Sequence, residues 1–141
     1  SSGDDVSFRI LSIKNRDAGS PLSLLTGHEV VVDGAYMSGA DGSVPGLANI
    51  DPHGYVRQWD AYQRGDWDGV REEQDRLVRL MMITQVVEGV AGFGAGVGAF
   101  KTALNLLGIF ETNNMPEPVT TLTGSNVEAI AKVLAEVGLL D

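Results

Sequence analysis

Few side chains in this 141-residue sequence are of types that do covalent chemistry. There is no cysteine, which leaves out thiol catalysis, thiolate metal sites and disulfides. Lys14, Lys101 and Lys132 are the amines on offer. A lysine attacks a ketone only when it is neutral part of the time near pH 7, which takes desolvation or positive neighbours. All three fall within segments predicted as amphipathic helices, where a lysine is ordinarily a solvent-facing charge. None is assigned as a nucleophile. Two histidines without a spaced cluster of carboxylates give no metal site.

Residues able to read a ligand gather at Gly27-His28-Glu29. A glycine after a strand lets backbone approach a ligand with no Cβ in the way, and it equally suits a turn of positive φ. His28 and Glu29 are the polar candidates for the distal part of a substrate; the plainer reading makes His28 a surface or capping residue and Glu29 a cap of the next helix. Farther along, Gly94-x-Gly96-x-x-Ala99, within a run from Gly92 to Gly98, formally matches the dinucleotide fingerprint, with Glu111 downstream. That fingerprint needs a strand immediately before it and a second strand bearing the acid. Here an amphipathic helix precedes it and Leu104-Asn105-Leu106-Leu107-Gly108 reads as a helix end. The glycines are expected to shape a tight interhelical crossing.

Two short βα units must position these residues. Residues 22–26 are strand-like, Gly27-His28-Glu29 turns, and a helix is predicted over about 29–38. Its Val30-Val31-Val32 run has mediocre helix propensity, so burial must hold it. After the turn Gly39-Ala40-Asp41-Gly42, the apolar run 43–47 is too short for a helix and reads as a buried parallel strand, with Val44 in it. Two strands that each end in a glycine-containing loop and a helix imply a site at their C-terminal ends.

The remaining chain reads as helices. Asp4 or Ser2 can cap a first helix ending near Asp17, with Phe8, Ile10, Leu11 and Ile13 as its apolar side. Asp51 caps and Pro52 fits the first turn of a helix carrying Tyr55, Val56, Trp59 and Tyr62 at helical spacing, stopped by Gly65. Asp66 caps a longer helix with Trp67, Val70, Leu77, Leu80 and Met81 on one side. The opposite face (Arg71, Glu72, Glu73, Asp75, Arg76, Arg79) is read as solvated. A helix over about 97–107, a loop stiffened by Pro116 and Pro118, and a Ser125-x-x-Glu128 capping box before a last helix complete the chain.

Leu25-Thr26-Gly27, Gly39-Ala40-Asp41-Gly42, Ala48-Asn49 and the run KTALNLLG from Lys101 to Gly108 resemble, in this order and spacing, the second half of the dihydrodipicolinate synthase/N-acetylneuraminate lyase family. The resemblance runs from about residue 1 to 139. It implies a (β/α)8 barrel in which a lysine forms a Schiff base with pyruvate or another 2-oxo acid, without metal or organic cofactor. The family's lysine-bearing strand reads Lys-acid-x-Ser/Thr-Gly-Asp/Asn. Ser1-Ser2-Gly3-Asp4 continues that pattern, which puts the lysine two positions upstream of Ser1. The resemblance therefore implies no catalytic residue in this chain, only pocket wall. Gly27 would lie against the ligand, with His28 beside it. Val44 would touch the pyruvate-derived moiety or belong to ordinary barrel core. Pro45-Gly46 departs from the family's hydroxyl-bearing residues. Val30 stands where sialic-acid lyases carry the second of two acids, and His28 breaks the acid pair usual in dihydrodipicolinate synthases.

Ten Lys and Arg against 19 Asp and Glu give a formal charge of −9, which repels nucleic acid and anionic membrane surfaces. A small anionic substrate needs only one local positive site. No apolar run reaches transmembrane length and no signal peptide opens the chain, so a cytoplasmic enzyme is expected. A complete (β/α)8 barrel takes about 250 residues. The expectation is therefore an α/β chain: the last βα units of a TIM barrel over 1–65 and a C-terminal helical region over 66–141. It would complete its barrel with an N-terminal half and form a homotetramer. The activity expected of the whole is a Schiff-base lyase or aldolase, with cleavage of a 2-keto-3-deoxy sugar acid as one form and dihydrodipicolinate synthase proper as another. A non-catalytic helical interaction module and a nucleotide-binding domain are the readings of other classes.

Overall fold

A computed structural model describes residues 4–141. The alternative cap Ser2 and the Ser1-Ser2-Gly3 match to the lysine-bearing strand lie outside the described residues. The chain forms two compact units, one ending at Val78 and one spanning Arg79–Asp141. The border falls within a helix, Trp67–Met81.

In the first unit, helix α1 (Asp5–Asp17) starts at Asp4, whose carboxylate accepts from the Val6 and Ser7 amides. Its apolar side is not the one expected. Ile10, Leu11 and Ile13 are 49%, 45% and 45% exposed, while Ser12 and Asn15 are buried. The reason is local hydrogen bonding. Ser12 Oγ donates back to Phe8 O at 2.9 Å, and Asn15 clasps the backbone of Leu22 from both sides, at 2.9 and 3.1 Å. That clasp also withdraws Leu22 from any strand ladder.

Strands β1 (Leu25–Thr26) and β2 (Gly42–Ser43) pair in parallel, Leu25 opposite Gly42 and Thr26 opposite Ser43. Both are shorter than the apolar runs that announced them. Pro45 has no N–H for a ladder, so β2 stops and Gly46–Asn49 winds into a 3-10 turn in which Leu47 is fully buried. The helix between the strands, α2 (Val32–Met37), starts later than expected because Glu29 and Val30 form a turn. Its N-cap residue, Val31, supplies no side-chain cap. Burial of Val32, Ala35 and Tyr36 holds it instead, and Arg16 Nη1 donates to Ser38 O at 2.7 Å, a cation at the helix C-terminus.

Helix α3 (Pro52–Gln63) begins as expected, Asp51 accepting from Gly54 N at 3.0 Å. Gly65, at φ 73°, ends it in the left-handed region. Its buried line is Gly54, Tyr55, Gln58 and Ala61, which leaves Val56 54% exposed against expectation. Helix α4 (Trp67–Met81) follows, with Asp66 accepting from Gly69 N. Val70, Leu77 and Leu80 are fully buried as expected, but Trp67 is half out of the core. The charged face of α4 is not merely solvated. Glu73 takes a bidentate pair from Arg57 at 2.8 and 2.9 Å and a bond from Arg76 at 3.1 Å. Arg76 in turn meets Asp51 at 2.5 Å.

The second unit packs a 3-10 turn (Met82–Thr84), helix α5 (Gly96–Leu106) and helix α6 (Ser125–Glu136) around Ile83, Ala99, Ala103, Leu122, Ile130 and Leu134. Asn113 pins the intervening loop, donating to Thr102 Oγ1 at 3.0 Å and Leu122 O at 2.9 Å. The expected capping box does not form. Gly124, at φ 54°, takes the cap position and Ser125 becomes the first helical residue, without a side-chain cap. Asn126 instead closes a ring with the backbone of Glu88, at 2.9 and 3.0 Å. No strand stands immediately before Gly94 and none follows it among the described residues, so the dinucleotide fingerprint lacks its framework. Gly94 is buried with Val90 pressed against the place of a Cβ, a tight fit inside the loop itself. Gly96 has open space there and Gly98 only ordinary contact with Leu122, so the run is not the interhelical crossing expected.

Candidate active-site wall

Because β1 and β2 are parallel, their C-terminal ends share one edge. Gly27 follows Thr26, and Val44 follows Ser43 and donates its N–H to Thr26 O at 2.8 Å. The two candidate residues are therefore neighbours at adjacent strand tips. Val44 is 57% exposed. His28 is half-buried beside them. Its N–H donates to Thr26 Oγ1 at 3.3 Å, and its Nδ1 accepts from Val30 N at 3.4 Å. A neutral imidazole whose Nδ1 accepts carries its proton on Nε2, so Nε2–H is the ring group left for a ligand.

Two tyrosines lie behind these tips. Tyr36 Oη is 3.3 Å from Ser43 Oγ, and its ring stacks on Tyr62 at 4.8 Å and meets Trp59 edge-on at 5.3 Å. An open cleft of about 330 Å³ adjoins β2, lined by Tyr36, Ser43, Tyr55 and Trp59 among others. Tyr55 donates its hydroxyl to Glu29 O at 3.0 Å. Burial pushes both phenols above the usual tyrosine range, for Tyr55 with help from the Glu29 and Asp51 carboxylates. Both are hydroxyl donors at neutral pH and not bases.

Glu29 does not cap α2. Its Oε1 accepts from Gly46 N at 3.1 Å, across to the loop that follows β2. Nothing in a 17-residue separation announces that contact, and the Tyr36–Ser43 pair was equally without a local signal. Among the lysines, Lys14 and Lys132 are exposed and Lys101 Nζ donates to Asn114 O. None of the three is buried. Among the described residues no three His, Cys, Asp or Glu side chains gather as a metal site, and no helix is long and apolar enough to cross a membrane.

Two parallel strands, each feeding a helix and each tipped by a candidate wall residue, followed by a helical region, are the C-terminal part of a (β/α)8 barrel with its appendage. The chain belongs to the dihydrodipicolinate synthetase family, whose profile matches residues 4–137. It is 31% identical over 117 residues to an uncharacterized DapA-like lyase of Thermofilum pendens, covering 83% of this chain and 37% of that protein. Dihydrodipicolinate synthase from Bacteroides thetaiotaomicron is similar in structure, with a TM-score of 0.81 and 28% identity over 96% of this chain and 44% of the other. The Thermotoga maritima dihydrodipicolinate synthase gives a TM-score of 0.82 at 24% identity, over 99% of this chain and 45% of the other. A monomeric dihydrodipicolinate synthase variant gives 0.83 at 24% identity, over 99% and 44%. The chain thus spans less than half the length of each of these proteins.

Proposed function

We propose that this chain forms part of a lysine Schiff-base lyase acting on pyruvate or another 2-oxo acid. The observation that carries the proposal is the juxtaposition of Gly27 and Val44 at the C-terminal tips of paired parallel strands. In this reading the lysine stands two positions upstream of Ser1. Its amine adds to the 2-oxo carbon and water leaves. The resulting iminium draws electrons from the bond one carbon away, which breaks to an enamine or forms from one. Gly27 lets backbone approach the bound acid, Val44 packs on the pyruvate-derived carbons, and His28 Nε2–H donates to the distal part of the substrate. Substitution of an acid by His28 favours a substrate other than that of dihydrodipicolinate synthase proper; a 2-keto-3-deoxy sugar acid is the working candidate. The whole enzyme is proposed to be a cytoplasmic homotetramer in which an N-terminal half closes the barrel.

Borohydride trapping of the full-length protein with labelled pyruvate tests this. The expected label sits on the lysine before Ser1. A label on Lys14, Lys101 or Lys132, or none at all, would overturn the reading. A panel of aldehydes supplied with pyruvate then identifies the partner substrate.

A further inference from the structure

We infer that Glu29 is a positioning residue: its carboxylate staples the loop after β1 to the loop after β2 and thereby fixes the spacing of the Gly27 and Val44 tips. The inference rests on the proposed function for its catalytic consequence, but the staple itself stands on geometry. The last ladder bond between the two segments is Val44 N to Thr26 O. The bond from Gly46 N to Glu29 Oε1 at 3.1 Å joins them again, two residues past Gly27 on one side and two past Val44 on the other.

A staple works only if its base is fixed, and that of Glu29 is. Its backbone carbonyl accepts from Tyr55 Oη on α3 at 3.0 Å and from Gln74 Nε2 on α4 at 3.2 Å. Gln74 is itself oriented, its Oε1 accepting from Gln58 Nε2 at 3.0 Å and from Asp33 N at 3.2 Å. Gln58 and Gln74 are buried, 0% and 3% exposed, and of their side-chain polar atoms only Gln58 Oε1 lacks a partner; the bonds they do make are costly to break there. The Tyr55 phenol stays protonated and goes on donating. The β1 loop is thus gripped at its main chain by two helices, and one side chain extends that grip to the β2 loop.

The role needs an acceptor oxygen, not a charge, and this separates it from a substrate-binding or proton-transferring carboxylate. In the full-length protein, Glu29→Gln should keep the amide of Gly46 protected from hydrogen exchange. Glu29→Ala should speed that exchange roughly ten-fold or more, the loss of one hydrogen bond to a charged acceptor. In turnover with a 2-oxo acid, Glu29→Ala should lower kcat/KM by a similar factor, chiefly through KM, and Glu29→Gln should restore it to within about three-fold. Should Glu29→Ala fail to fold, Glu29→Asp, one methylene too short to reach Gly46, takes its place. Unchanged exchange at Gly46 in the Ala or Asp variant would overturn the staple. So would a Gln variant as impaired in turnover as Ala with Gly46 still protected, since the carboxylate would then be acting on substrate. Absence of a borohydride adduct in the wild type would sink the lyase reading alone; the exchange experiment would still decide the staple.

Discussion

Asp51 separates two stabilising interactions on its two oxygens, so substitutions there can be read quantitatively. Oδ1 accepts from Gly54 N at 3.0 Å and caps α3, while Oδ2 meets Arg76 Nη1 at 2.5 Å with Arg57 Nη2 at 3.8 Å. Asp51 is 4% exposed and Arg76 25%. The pair therefore lies between an exposed ion pair, about 0–1 kcal/mol, and a buried one, where removing a partner costs about 3–5 kcal/mol; we take ~2 kcal/mol. A lost cap adds about 1 kcal/mol. Asparagine caps as well as aspartate, so Asp51→Asn should lose only the first part, ~2 kcal/mol, and Asp51→Ala both, ~3 kcal/mol. Urea unfolding of the full-length protein, followed by far-UV circular dichroism, measures this at low salt and at about 1 M salt, where the Debye length falls to about 3 Å. The gap between wild type and Asn should narrow in salt, while the gap between Asn and Ala should not. Equal losses in the two variants, or a wild-type-to-Asn gap indifferent to salt, would refute the division of labour.

Three further outcomes are expected. Gly54→Ala places a Cβ 2.6 Å from Asp51 Oδ2 and 3.0 Å from Leu77 Cδ2, and should destabilise by about 1–3 kcal/mol in the same unfolding assay although alanine is the better helix former. Tyr55 holds its proton in the folded state above the pH at which an unfolded tyrosine, pKa about 10, releases it. The unfolded state then binds fewer protons than the native state, so stability should fall as pH rises past about 10, and Tyr55→Phe should flatten that fall. Asn113→Ala removes donors to Thr102 Oγ1 and Leu122 O, and should cost about 1–3 kcal/mol together with faster amide exchange over residues 113–122.

What could be seen in the sequence was whatever local chemistry decides. Asp51-Pro52, Asp66 and Gly65 fix helix ends through bonds and backbone angles reaching only a few residues, and each was legible. The parallel order of the two strands, and Gly27 and Val44 at their tips, were legible too, because loop glycines punctuate short apolar runs. The strand lengths were not, since two-residue strands are defined by a partner's amides and by where Pro45 interrupts the ladder. Ser125-x-x-Glu128 matched a capping box, yet Gly124 reached the cap position first. The aliphatic stripe of α1 promised a buried face, but Ser12 and Asn15 are what the first unit buries. Glu29–Gly46 and Asp51–Arg76 join residues 17 and 25 positions apart, which no periodicity encodes.

Both tryptophans and all three tyrosines of the chain fall in the first unit, and Tyr36, Trp59, Tyr62 and Trp67 touch ring to ring at 4.8–5.5 Å. Tyrosine and tryptophan emission from this chain therefore originates wholly in the unit that carries the strand tips. Light absorbed by Tyr36 or Tyr62 is handed to an indole in contact with it, so phenol emission from those rings is quenched while the cluster holds. Loosening of the second unit, whose aromatic side chains are all phenylalanine, is dark to such a probe.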